Sequence, residues 1–140
     1  MAMKVPVEEY TTPDPITATE DMSIDQLQIL MDEFGVRHLP ILRDGKVVGM
    51  VSDRDVRIAR GLSEAEKFLI CAGDIMAADP VTVRADTPID DVAELMHQHK
   101  IGSVMVLENG GKLLGIFTAT DALNALNALI EIIRAGGPAE

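Results

Sequence analysis

Cysteine is nearly absent from this 140-residue chain: Cys71 stands alone. An internal disulfide framework is thereby excluded, and folding must rest on apolar burial. There is no Trp, and Tyr10 is the sole Tyr beside three Phe, so a planar ligand would rest on aliphatic walls and not on an aromatic platform. Basic residues are outnumbered 12 to 23, for a formal net charge of -11. Such a chain repels polyanions, and nonspecific binding to nucleic acid or to an anionic membrane surface is not expected. No apolar run approaches the roughly 20 residues of a membrane helix, and no signal-peptide pattern opens the chain; the expectation is a cytoplasmic protein. His97 and His99, at i and i+2, point to different sides of a helix. With no nucleophile and base, metal-ligand cluster or phosphate-cradling glycine loop in evidence, neither a metal site nor catalysis is expected. Cys71 has no base at a recognisable spacing and reads as a buried apolar residue.

What is present is a duplication. Gly49-Met50-Val51-Ser52-Asp53-Arg54-Asp55 returns as Gly115-Ile116-Phe117-Thr118-Ala119-Thr120-Asp121. In each copy a glycine, two apolar residues, a hydroxyl and an Asp fall at one spacing, which reads as a strand running straight into a helix N-terminus. Aligned outward, Pro15-Ile16-Thr17 pairs with Pro80-Val81-Thr82, Leu30-Met31 with Leu95-Met96, and Asp44-Gly45-Lys46 with Asn109-Gly110-Gly111-Lys112, at an offset of 65 residues that becomes 66 after Gly111. A repeat of this length is one supersecondary unit used twice. Each half alone would bury too little to be more than marginally stable, so the halves are expected to pack together.

Residues 1 to 14 show no periodicity and read as an irregular lead-in. Residues 15 to 18 read as a short strand. Ser23 with Gln26 has capping-box spacing, and Ile24, Leu27, Leu30, Met31 and Phe34 recur at helical spacing up to the stop residue Gly35. Residues 36 to 42 and 46 to 51 form a hairpin around Asp44-Gly45, and Ser52 caps a helix to about residue 60. Ser63 and Glu66 cap a short linker helix reaching residue 71. The second copy runs in the same order: strand 80 to 83, a helix capped by Thr87 and ending near residue 99, strands 103 to 107 and 113 to 117, and a last helix opened by Thr118. Ala122, Leu123, Leu126, Leu129, Ile130 and Ile133 form its apolar stripe, a core or a subunit contact. The fold class is α/β, two β-α-β-β-α units, with a first repeat over 8 to 73 and a second over 74 to 134.

This order, the duplication and the two Gly-apolar-apolar-Ser/Thr-x-x-Asp segments resemble the cystathionine-β-synthase (CBS) domain family, specifically a tandem pair or Bateman module. Asp14-Pro15-Ile16-Thr17 and Asp79-Pro80-Val81-Thr82 are similar to that family's opening strand, and residues 36 to 41 to its central one. The resemblance implies two pseudo-symmetric repeats packed through their sheets, with two clefts between them that take AMP, ADP, ATP or S-adenosylmethionine. It implies a regulatory module with no obligatory cofactor and no catalytic chemistry.

Ser52 with Asp55, and Thr118 with Asp121, also match a plain capping box, in which the Asp reaches back to the cap's own amide. In the ligand-binding reading the same carboxylate accepts a ribose 2′,3′-diol while the hydroxyl and helix amides hold a phosphate. Thr17 and Thr82 are candidates near the base, though strand threonines need no ligand. On the phosphate side the copies differ. Between residues 37 and 60 lie six of the twelve basic residues against three acids. The resemblance puts Arg37 and His38 at the family's phosphate-contacting position, with Arg54 one residue before Asp55, whereas the second copy offers Gly102 and Ser103. An ion pair of Arg37 with Asp32 or Glu33 is the ordinary alternative. The first site is therefore expected to fill with nucleotide first, and the second to stay empty or to take a ligand of little charge. The leading reading is a stand-alone CBS pair that senses an adenosyl ligand and signals occupancy to an unknown effector. The alternative is a ligand-free dimerisation or interaction module. A homodimer through the last helix is expected in either case.

Overall fold

The computed structural model of the chain describes residues 4–136, so the first three residues of the expected lead-in lie outside the described residues. In chain order come a 3-10 turn (Val7–Tyr10), β1 (Thr12–Pro13), β2 (Ala18–Thr19), α1 (Ile24–Phe34), β3 (His38–Arg43), β4 (Lys46–Ser52), α2 (Asp53–Arg60), α3 (Glu64–Phe68), α4 (Ala72–Ile75), β5 (Ala77–Ala78), β6 (Thr82–Arg84), α5 (Ile89–His99), β7 (Ser103–Leu107), β8 (Leu113–Thr118) and α6 (Ala119–Arg134). The chain divides into two compact units, one of Pro15–Pro80 and one made of the residues up to Asp14 together with those from Val81 onward.

The lead-in is where the structure departs most from the sequence reading. Val7 is fully buried in the second unit's core with Ile89, Val92, Val104, Val106, Phe117 and Ala125. Backbone bonds hold it there, from Val7 N to Thr87 O at 2.8 Å and from Glu8 N to Ala85 O at 3.1 Å. In the first unit Ala72 N donates to Met22 O at 2.8 Å and Gly73 N to Glu20 O at 2.9 Å. These are the same two bonds moved by 65 residues, so the 3-10 turn is the counterpart of α4, and β1 of β5. Val5, Val7 and Tyr10 pack on this core, but so short a run, with its core partners distant in sequence, leaves no period to read.

Each sheet thus has four strands where three are expected, in the orders β2-β3-β4-β5 and β1-β8-β7-β6. The inner pair of each is antiparallel, β2 and β6 join in parallel, and the two-residue strands β5 and β1 close the edges beside β4 and β8. Both hairpins carry a register shift at the same place, Ile41/Leu42 and Val106/Leu107. Asp44 and Gly45 both have positive φ, 51° and 79°, as a two-residue hairpin turn requires. Eight of the ten buried core residues of the first unit, Ile24, Leu27, Met31, Leu39, Ile41, Val51, Ala59 and Ala72, are matched by Ile89, Val92, Met96, Val104, Val106, Phe117, Ala125 and Val7, while Ala18 and Val56 answer to the partly buried Val83 and Ala122. Phe117 in place of Val51 restores volume that Val92 and Val104 give up against Leu27 and Leu39, as close packing demands.

Smaller corrections have local causes. Pro88, not Thr87, is the N-cap of α5, and without a capping side chain; its extended φ and ψ of -57° and 138° put the first helical residue at Ile89. The strands expected over 15 to 18 and 80 to 83 shift to Ala18–Thr19 and Thr82–Arg84. α3 is one turn long and stops at Phe68. Cys71 is half-exposed at the N-cap of α4, where its backbone N–H donates to Asp74 Oδ2 at 2.9 Å. On α6 only Ala125 is buried, so most of the expected stripe, with Leu123, Leu126, Ile130 and Ile133, faces outward.

Candidate functional site

In the first unit β4 runs into α2 without a connecting residue, because Ser52 ends the strand and caps the helix. The cap is reciprocal: Asp55 N donates to Ser52 Oγ at 3.2 Å, and Ser52 N to Asp55 Oδ2 at 2.9 Å. Capping therefore occupies one carboxylate oxygen of Asp55. Among the described residues no group donates to Oδ1, which remains an open acceptor on a half-buried side chain.

The basic residues expected beside this mouth are brought to it through the backbone. Asp53 N donates to Arg37 O at 2.8 Å, and His38 lies opposite Ser52 across the β3–β4 pair. Three other arginines of the basic stretch are engaged elsewhere. Arg43 forms a two-pronged pair with Glu20, both bonds at 2.6 Å, while Arg57 lies 3.5 Å from Asp53 and Arg60 3.4 Å from Asp25. The bonds from Arg43 hold the Glu20 carboxyl below its ordinary range and the guanidinium above its own. Arg37 and Arg54 are exposed and form no ion pair among the described residues, so the alternative of Arg37 bonded to Asp32 or Glu33 is not what the structure contains.

A recess of about 240 Å³ adjoins the mouth, lined by Asp55, Ile58, Ala59, Leu62 and Ile75. That is below the roughly 300–1,000 Å³ of pockets that enclose a whole small molecule, so it is sized for part of one. Its aliphatic lining from α2 and α4 was not singled out from the sequence. Ile58 lies on α2 and Leu62 just past its C-cap Gly61, a four-residue spacing that is the signal that could have found them, but Ile75 joins them only through the fold.

The second unit repeats the joint with different occupancy. Thr118 caps α6, Ala119 N donates to Gly102 O at 3.0 Å, and Ser103 lies opposite Thr118. Asp121 Oδ2 accepts from Thr118 N at 2.8 Å and from Thr118 Oγ1 at 3.1 Å. Its Oδ1 accepts from Thr12 Oγ1 at 3.0 Å, a contact that sequence reasoning missed. Thr17, half-buried before β2, and Thr82, exposed at the start of β6, form no hydrogen bond with either aspartate.

A family model described as the CBS domain matches residues 7–61 and again 72–128. The chain belongs to the CBS domain family. Its two matches cover both copies of the joint just described, and each CBS match begins at the 3-10 turn or at α4. Among relatives, the chain is 33% identical over 81% of its length to an inosine-5′-monophosphate dehydrogenase of Korarchaeum cryptofilum, of which it spans only 23%. Among solved structures it is similar to the CBS domain pair of protein MJ0100 in complex with 5′-methylthioadenosine and S-adenosyl-L-methionine. There the TM-score is 0.79 and the identity 26%, over 90% of this chain and 98% of that one. It is also similar to CBSX2 in complex with AMP, with a TM-score of 0.77 and 29% identity over 88% of this chain and 96% of that one.

Proposed function

We propose that this CBS pair binds an adenosyl ligand, with AMP, ADP or ATP preferred at the mouth of α2, and that occupancy is signalled to a partner protein. The observation that carries this is that Asp55 Oδ1 accepts no bond among the described residues beside the N-terminus of α2, where the backbone also brings Arg37 and Arg54, neither of which forms an ion pair among those residues. A ribose diol suits the carboxylate, a phosphate suits the guanidiniums and helix N-terminus, and an apolar base suits the aliphatic recess. The ligands named for the two structural neighbours, AMP in one and S-adenosyl-L-methionine with 5′-methylthioadenosine in the other, support the same chemical class. His38, Ser52 and Thr17 belong to this site, and Thr82, Thr118 and Asp121 to its weaker counterpart in the second repeat. The role is regulatory and not catalytic, the setting cytoplasmic, and neither nucleic acid nor membrane is a partner. Among the described residues no helix is long and apolar enough to cross a membrane.

Isothermal calorimetry with AMP tests the site. Asp55→Ala removes an acceptor of charge-assisted hydrogen bonds worth about 1.5–3 kcal/mol, one to two decades of affinity. Arg37→Ala is expected to weaken AMP and to reduce the salt dependence of binding, since it removes a charge facing the phosphate. Unchanged AMP affinity in a folded Asp55→Ala protein would remove this mouth from consideration.

The outer face of α6 favours a further element, a homodimer. Leu123, Leu126, Ile130 and Ile133 are all exposed and recur at intervals of three and four. That is the a/d spacing of a helix seam, and it serves either a ligand-responsive dimer or a module that only docks.

A further inference from the structure

The two joints differ in more than charge. Both aspartates use Oδ2 for the cap, but only Asp121 has its Oδ1 engaged, by the Thr12 hydroxyl at 3.0 Å. Thr12 lies on β1, paired with Ile116, and its counterpart on β5 is Ala77, paired with Met50, the residue equivalent to Ile116. The first repeat therefore has a methyl where the second has a donor. Thr118 adds to the difference, since its hydroxyl donates to Asp121 Oδ2, whereas no such bond runs from Ser52 Oγ to Asp55 among the described residues.

We propose that Thr12 is an internal stand-in for a ribose hydroxyl, which holds the second site shut and so sets the ligand stoichiometry at one per chain. The bond it makes, from a neutral hydroxyl to the carboxylate oxygen left over by the cap, is the bond a ribose would make. A ribose hydroxyl that approaches Asp121 Oδ1 from the same side must displace the Thr12 hydroxyl or share the oxygen with it, and Asp55 imposes no such competition. Charge alone would leave the second mouth open to an uncharged adenosyl ligand; the Thr12 bond closes it to that ligand as well. This inference rests on the reading of Asp55 and Asp121 as ribose acceptors.

Adenosine, which carries no phosphate, separates this effect from that of the arginines. Calorimetry on the full chain is expected to show one adenosine per chain in the wild type, lost in Asp55→Ala. Thr12→Val, which keeps the β-branched shape, is expected to add a second site. The double variant Asp55→Ala/Thr12→Val should then bind adenosine about tenfold or more tightly than Asp55→Ala alone. Thr12→Ser retains the hydroxyl and should behave as the wild type. The converse change, Ala77→Thr, offers a donor to Asp55 and should weaken the first site by about tenfold. If Asp55→Ala lowers adenosine affinity but adding Thr12→Val restores nothing, or Ala77→Thr binds as the wild type does, Thr12 is no gate although the ribose reading stands. If Asp55→Ala leaves adenosine binding unchanged, or neither wild type nor Thr12→Val binds adenosine, the ribose reading itself fails and takes the gate with it.

Discussion

Glu20 and Arg43 form a two-pronged surface pair, which removes one cation from a basic stretch that the sequence presents as a single cluster. Two 2.6 Å bonds fix the guanidinium against the carboxylate, in the fork geometry that only Arg supplies. The same bonds lower the Glu20 pKa below its ordinary 4.5, so the folded chain holds that proton more weakly than the unfolded one. The stabilisation is therefore complete above about pH 4.5 and is lost as the pH falls through the lowered value. Chemical denaturation between pH 7 and pH 3 is expected to show Glu20→Gln less stable than the wild type at neutral pH, with the gap closing in acid. A gap that stays constant over that range would show that the pair contributes nothing that titrates. Single residues also separate the two joints: Asp55 and Asp121 satisfy the same motif, and the hydroxyls of Thr12 and Thr118 bond only the second of them.

At the scale of elements, the glycine that opens each Gly-apolar-apolar-Ser/Thr-x-x-Asp segment is explained by the edge strand beside it. Gly115 faces Pro13 of β1 and Gly49 faces Ala78 of β5. A Cβ built on Gly115 would overlap the Thr12 carbonyl oxygen and lie 2.8 Å from Thr11 Cγ2, on a strand that cannot shift without losing its ladder bonds. A Cβ on Gly49 would chiefly meet the flexible end of Met76, with the Ala77 carbonyl oxygen at 3.1 Å. Gly115→Ala is thus expected to cost about 1–3 kcal/mol, the range for forcing atoms into a packed site, and Gly49→Ala less. Urea melts of the two variants check the order. Equal losses would mean that the β1 edge yields as easily as a methionine side chain. The helices were more legible than these strands. Ser23 with Gln26, Ser52 with Asp55, Ser63 with Glu66 and Thr118 with Asp121 all form the capping boxes their spacing predicts, because a cap is made within one turn of chain.

At the scale of the whole molecule, α6 carries the longest apolar stripe expected from the sequence, and most of it faces outward. Its inner face contributes little more than Ala125 to the core, while Leu123 and Ile133 are 62% and 63% exposed at either end of the outer stripe. Single exposed apolar residues are ordinary, whereas four at intervals of three and four along one helix form one apolar stripe, the feature on which the proposed dimer rests. Sedimentation at micromolar concentration is expected to give twice the 15.1 kDa chain mass, and Leu126→Lys with Ile130→Lys to return a folded monomer. A 15 kDa species in the wild type would refute the dimer, and a dimer that survives both lysines would place its interface elsewhere.

The sequence by itself determined the duplication, the order of the main helices and hairpins, and the caps at Ser23, Ser52, Ser63 and Thr118, for all of these are written in local periodicity or in self-similarity at a fixed offset. The expected nearness of Arg37 and His38 to the start of α2 has a backbone counterpart in the Asp53–Arg37 bond and the His38–Ser52 pairing. Only the tertiary structure decided where the lead-in goes, which of six basic residues stay unpaired, and which aspartate keeps a free oxygen. Each of those is settled by a partner far away in sequence: Val7 by the core around Phe117, Arg43 by Glu20, Asp121 by Thr12 across 109 residues. Periodicity carries no record of such partners, because a hydrogen bond or an ion pair closes when the backbone brings two groups within about 3 Å, whatever their separation along the chain.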